Sequence, residues 1–193
     1  MIQKTALLVW VAFLVSTSFL WADEVRFQTT SDEMVKELTR PPVKYRSFTS
    51  KKRTIAVAER INNKMEKTIV VVDENLDVPK LKIRIEFDYD SSALKKSSYT
   101  LLKEVGTALM SNAIKDKTIM INGHTDSDGT QAYNLKLSFD RADSVKAYLI
   151  AAFNLPENKL QIRGYGELLP LKPNTSTDNK QINRRVEFEI VNR

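Results

Sequence analysis

A chain of 193 residues has room for one well-packed domain and a smaller appendage. Its 42% hydrophobic and 28% charged content excludes both a disordered polymer and a multi-span membrane protein. The net charge of +6 is scattered among acids rather than gathered on one stripe, which argues against nucleic acid as a partner, and zero cysteines exclude disulfides, thiolate metal sites, a cysteine nucleophile and an acylated cysteine anchor.

The chain opens with the pattern of an export signal. Lys4 precedes an apolar run from Thr5 to Trp21, and Ala22 offers a small residue at a cleavage point. Ser16-Thr17-Ser18 interrupts the run, which is already short for the ~20 residues of a membrane span. Residues 1–22 are therefore expected to be a signal peptide, with the exported chain starting at Asp23.

Residues 23–80 predict an accessory segment or a spacer. Ser31-Asp32-Glu33 ahead of Met34, Val35 and Leu38 marks a short capped helix, which Pro41-Pro42 ends. Thr54–Ala58 and Thr68–Val72 have strand composition with Asn62-Asn63 in their connection, and Asp73–Pro79 is a polar linker. The stretch is too short for an outer-membrane barrel, whose smallest form needs about eight strands of 9–11 residues.

Patterning sharpens from residue 81 to the end. Leu81, Ile83, Ile85 and Phe87 alternate with charged residues, as in a half-buried strand. Tyr99, Leu102, Val105, Leu109 and Ala113 recur at helical spacing, with Ser97 or Ser98 as the expected cap. A strand follows at Thr118–Asn122, then a helix with Leu135, Phe139, Ala142, Val145, Leu149 and Ala152 on one stripe. Further strands are expected at Lys159–Arg163 and Arg185–Ile190. The order β-α-β-α-β-β, with helices long enough for crossovers, predicts one α/β (α+β) sandwich domain over residues 81–193.

The most informative stretch is Gly123-His124-Thr125-Asp126-Ser127-Asp128-Gly129, where a strand ends and a helix is about to begin. Ligands of such sheets bind outside the carboxyl ends of strands, where helix N-termini point. Asn134 and Arg141 lie two turns apart on the following helix, so Asp126 and Arg141 can face one cleft from loop and helix. The lone His124 has no Ser, Cys or second His at a nucleophile or metal spacing, and reads as a packed loop residue. Asp126 and Asp128 lack the later acids of a calcium loop. No paired-carboxylate or metal constellation is visible, so neither an enzyme nor a cofactor is expected. Asp140 and Asp143 stand on other helix faces from Arg141 and are poor partners for it. Arg185 alternates with Glu187 and Glu189, the pattern of cross-strand ion pairing.

From Ile83 onward the chain resembles the OmpA-like peptidoglycan-binding domain of outer-membrane proteins, peptidoglycan-associated lipoproteins and flagellar stator subunits. The resemblance rests on Phe87-Asp88, Gly123-His124-Thr125-Asp126 with Gly129, Tyr133-Asn134, Leu137-Ser138, Arg141-Ala142, Val145, Tyr148-Leu149, Gly164-Tyr165-Gly166-Glu167, Pro170, Asn174 and Asn183-Arg184-Arg185-Val186-Glu187, all in order at compatible spacing. It implies a mixed four-stranded sheet with helices on one face. It also implies non-covalent binding of peptidoglycan through the diamino acid of its stem peptide, with the two gripping positions on Asp126 and Arg141. A guanidinium fork suits a carboxylate and an aspartate receives an ammonium. Phe87 and Asp88 through their backbone, with Thr125, Thr130, Asn134 and Arg184, are the further residues expected at the site. The implied location is the periplasm or outer membrane of a Gram-negative-type bacterium. An adaptor that docks on outer-membrane or other envelope proteins through residues 23–80 is a second reading, and a wall hydrolase a third. A stator subunit is disfavoured, because the apolar N-terminal run carries no intramembrane acid.

Overall fold

The computed structural model describes residues 25–45, 51–88 and 90–191; the expected signal peptide lies outside them. Helix α1 (Ser31–Thr39) is capped by the Thr30 hydroxyl, which accepts from the Glu33 amide, one residue earlier than Ser31. Strands β1 (Val43–Lys44), β2 (Lys52–Ile61), β3 (Lys64–Asp73), β4 (Leu76–Asp77) and β5 (Leu81–Ile83) follow. Then come α2 (Tyr99–Leu109), β6 (Thr118–Gly123), α3 (Gln131–Phe153), β7 (Leu160–Gly164), α4 (Thr177–Asn183) and β8 (Val186–Val191). No helix among the described residues is long and apolar enough to cross a membrane.

The four strands expected from the C-terminal half lie side by side as β7-β6-β8-β5, with β6 and β7 parallel and the other pairs antiparallel. Two more strands extend that sheet to six, in the order β3-β2-β7-β6-β8-β5. The added pair is a hairpin whose two turn residues, Asn62 and Asn63, sit at φ 49° and 62°. Asparagine tolerates the left-handed region that a two-residue hairpin turn demands. The hairpin meets β7 at Ala58 opposite Gly164 and Glu59 opposite Arg163. The Arg163 Nε–Glu59 Oε1 contact of 2.6 Å and an Arg60–Asp143 ion pair of 2.7 Å hold it against β7 and α3.

One apolar core gathers α1, α2 and α3 on the same face of the sheet: Met34 and Leu38, Leu102 and Val105, and Phe139, Val145 and Leu149 meet Leu81, Ile121, Ile162 and Phe188. Met34 and Leu38 are 0% and 2% exposed, and burying each contributes about 1.5–3 kcal/mol. Residues 25–40 therefore share the core of the C-terminal half. Gln28 adds to this by exchanging backbone and side-chain hydrogen bonds with Lys82 on the edge strand β5.

Three local expectations change. The strand expected at 81–87 stops at Ile83, which pairs with Val186, the first residue of β8. Arg184 and α4 precede Val186, so no neighbour remains for Arg84–Phe87. That stretch turns back on itself instead, with Phe87 bridging Leu94. Ser98 does not cap α2 with its side chain; its Oγ accepts from the Glu86 amide at 2.8 Å and pins that turn. The short helix α4 was not anticipated, although Ser176 accepts from the Asn179 amide as its N-cap.

Candidate functional site

Two glycines set the geometry at the carboxyl ends of β6 and β7. A Cβ on Gly123 would stand 2.0 Å from the Ser138 carbonyl oxygen, and one on Gly164 would stand 2.7 Å from the Phe139 amide nitrogen. Only bare backbone lets α3 lie this close to the strand ends. The loop leaving β6 is then tied down on both sides. The His124 amide donates to Arg185 O at 3.0 Å and the Thr125 amide to Gly166 O at 2.9 Å. Asp126 Oδ1 accepts from the Asp128 amide at 3.0 Å in an Asx turn, and Gly129 adopts φ 97°. The Asn134 amide side chain, 1% exposed, donates to Asp126 O and to Glu167 Oε2.

A cleft of about 600 Å³ opens above this loop, lined by Phe87, Asp88, Thr125, Asp126, Asn134, Arg141 and Arg184 among others. Asp126 is 6% exposed and is paired with the Arg184 guanidinium. Arg141 faces it from α3. Its Nε donates to Ser91 O at 3.2 Å and its guanidinium lies 4.9 Å from the centre of the Phe87 ring. Burial, reinforced by the Arg184 charge, pulls the Arg141 pKa below its ordinary value, against the pull of Asp126 and Asp90. Asp140 and Asp143 are engaged elsewhere, by Lys136 and Arg60. The result is a mixed-sign cleft in which one carboxylate has a cation and one desolvated guanidinium has no carboxylate in bonding distance among the described residues. Such a site suits a ligand that carries both charges.

Seven of the eight residues expected at the site line this cleft, and Thr130 does not. Its hydroxyl accepts from the Tyr133 amide and caps α3, so it builds the site's scaffold instead. The Asp88 amide, expected to face ligand, donates to Ala93 O at 3.0 Å and is spent inside its own loop. The Thr125 hydroxyl, in contrast, is buried without a hydrogen-bond partner. Asp90 and Lys95 line the cleft without any signal in the sequence, whereas Asp128, Gly129, Tyr133 and Leu137 line it as motif residues that the sequence did not assign to the site. The turn-forming run Asp88–Ser92 marks a loop, but nothing local to it tells where the loop folds. Asp90 is held by the Tyr133 hydroxyl, and Asp128 by Lys180 at 2.7 Å.

His124 and Arg185 stand behind the cleft. Arg185 is 3% exposed, stands just ahead of β8 and bonds Glu187, Asn183 O and Leu169 O, so its carboxylate partner lies two residues along the chain and not across from it. That arginine holds Glu187 well below the usual carboxylate range despite its burial. His124 is 2% exposed and stacks on Tyr165 at 5.1 Å, with Nε2 3.7 Å from Glu187. Burial, with the Arg185 charge, outweighs Glu187 and pulls the His124 pKa from 6.5 to about 4. In the unfolded chain the imidazole regains its ordinary value and binds a proton first as pH falls. Its stabilising contribution is therefore whole above pH 6.5 and lost between 6.5 and about 4, on the order of 3 kcal/mol. Thermal unfolding followed across that window should show the loss, and His124→Gln should flatten it. An equal slope in both proteins would refute this assignment.

Comparison with known proteins places these features in a wider set. The model of the OmpA family matches residues 86–184. Outer membrane protein A of Bordetella avium is 46% identical over 105 residues, covering 54% of this chain and 53% of the relative. Outer membrane porin F of Pseudomonas aeruginosa is 35% identical over 126 residues, covering 63% of this chain and 35% of that one. The chain thus spans about half or less of the length of these curated relatives. Among solved structures, the cell wall anchor of the T6SS from Pseudomonas aeruginosa is similar at 27% identity and a TM-score of 0.50, over 58% of this chain and 82% of that one. The periplasmic domain of Helicobacter pylori MotB is similar at 25% identity and a TM-score of 0.51, over 57% and 81%.

Proposed function

Because this chain belongs to the OmpA family, we propose that it binds peptidoglycan without covalent chemistry and so tethers itself, and whatever it carries, to the cell wall. The observation that carries the reading is the Arg141 guanidinium, half-buried against Phe87 and with no carboxylate in bonding distance among the described residues, beside the Asp126–Arg184 pair in one cleft. A stem-peptide diamino acid supplies what that arrangement lacks. Its carboxylate answers Arg141 bidentately, and its ammonium shares or replaces Arg184 on Asp126. Thr125, with an unsatisfied hydroxyl, and the Phe87–Asp88 turn complete the contact surface. A similar protein that is itself described as a cell wall anchor supports the same direction.

Relatives named as outer membrane proteins support an exported location. A signal peptide over residues 1–22 and a periplasmic or outer-membrane address belong to this proposal, as does docking on envelope proteins through the N-terminal segment. The test is sedimentation of the purified protein with insoluble peptidoglycan, with a soluble stem-peptide fragment as competitor. The protein should move to the pellet and return to the supernatant as the fragment is added. A protein that stays in the supernatant at micromolar concentration, or that degrades the wall, would overturn the reading.

A further inference from the structure

Strand β3 is the outer edge of the sheet, and among the described residues it pairs with β2 alone. Its register on β2 runs unbroken from Lys64 opposite Ile61 to Asp73 opposite Lys52, with no bulge and no proline. The two-residue turn makes Ile61 and Lys64 a hydrogen-bonded pair. Alternation from there directs the backbone N–H and C=O groups of Met65, Lys67, Ile69, Val71 and Asp73 away from β2. Three of these five carry exposed apolar side chains, with Ile69 73%, Val71 65% and Met65 44% exposed. Sheets ordinarily blunt a long, regular edge with proline, bulges or charges; β3 has no proline and no bulge, and its charges, Lys64, Glu66, Lys67 and Asp73, flank an uncharged run from Thr68 to Val72.

We propose that β3 is a homodimerisation edge, on which a second copy of this chain lays its own β3 antiparallel about a two-fold axis at Val70. The charges select this occupant and this register. Centred on Val70, Ile69 faces Val71 of the second copy, Thr68 faces Val72, and Lys67 faces Asp73 at both ends, so the apolar centre is closed by two opposite-charge pairs. Centring on Ile69 sets Lys67 against Val71 and Met65 against Asp73, and a parallel arrangement sets Lys67 against Lys67. Only the Val70-centred pairing satisfies apolar and charged positions together. It is self-complementary, as a two-fold interface must be, and it joins two sheets into one of twelve strands. No residue of β3 lines the cleft at Asp126 and Arg141, so the edge is independent of wall binding.

The chain has no cysteine, which gives the test a clean background. Val70 lies in a non-hydrogen-bonded position, where residues opposite one another across antiparallel strands have Cα atoms about 4.5 Å apart, within disulfide range. Val70→Cys should therefore convert to a disulfide-linked dimer under mild oxidation, whereas Glu66→Cys should stay monomeric. Sedimentation of the unaltered chain should show a dimer that dissociates on dilution, and Ile69→Lys, at an exposed position, should abolish it with an unchanged circular dichroism spectrum. A chain that sediments as a monomer at several hundred micromolar would overturn the proposal, whether another protein or another part of the chain covers the edge. Cross-linking of Ile69→Cys in place of Val70→Cys would overturn the axis.

Discussion

Arg141→Ala should abolish sedimentation with purified peptidoglycan while leaving thermal unfolding within a few degrees of the parent. Removing one side of a desolvated charge pair costs on the order of 2–5 kcal/mol, because the ligand's carboxylate would enter the cleft with nothing to receive it. That corresponds to a loss of affinity of roughly 30-fold or more. The cost to the fold is far smaller. Among the described residues Arg141 has no carboxylate partner to strand, and its polar contacts there are a hydrogen bond to Ser91 O and the face of Phe87. A cation over an aromatic ring contributes about 1 kcal/mol, a few degrees in a chain of this size. Asp126→Ala should weaken binding comparably but cost more stability, since it leaves Arg184 unpaired and breaks the Asx turn that seats Asp128. Unchanged pelleting by both variants would place the ligand elsewhere.

Gly123→Ala should be the most destabilising conservative substitution at the site, lowering the midpoint of unfolding by about 10 °C or more. The added methyl would stand 2.0 Å from Ser138 O, a backbone atom of α3 that cannot rotate away. Either β6 or α3 must shift, and both carry core residues: Ile121 on the strand and Phe139 and Ala142 on the helix are nearly or fully buried. Differential scanning calorimetry would measure the effect, and a midpoint within about 2 °C of the parent would show that the helix can lift without penalty. The variant matters for function as well. The same close approach sets the spacing between the Asp126 loop and the Arg141 helix, so any folded fraction should bind peptidoglycan more weakly than the parent. Arg141→Ala separates the two effects, because it leaves the glycine contact untouched.

The order of elements from residue 81 onward was legible because it is written locally. Alternation in Leu81–Ile83 and Val186–Ile190 and the three-and-four spacing on α3 need no knowledge of distant residues. The strand-to-helix run from Gly123 to Gly129 likewise carried its own signal, and it led to Asp126, Asn134 and Arg141, which line one cleft. Even the Asn62-Asn63 turn could be read as a connection. The place of its hairpin in the sheet could not be assigned, since β2 alone joins β7, at only two registered pairs.

What the sequence by itself determined was therefore the main strands and helices of the C-terminal half, α4 and the end of β5 excepted, and which side chains are candidates for a site. Tertiary structure alone decided how those candidates are occupied. Arg184 reaches Asp126 from 58 residues away, and Ser91 meets Arg141 from 50 residues away. Such contacts depend on where α4 and residues 90–95 are carried by the whole fold, and no local periodicity encodes that path. The same holds for Arg84–Phe87, which has strand alternation but no strand beside it, whereas the capping of α3 by Thr130 through the Tyr133 amide is a contact over three residues that the sequence itself offers. A side chain's chemistry is fixed by its residue type, whereas its partner is fixed by the closure of the chain around it.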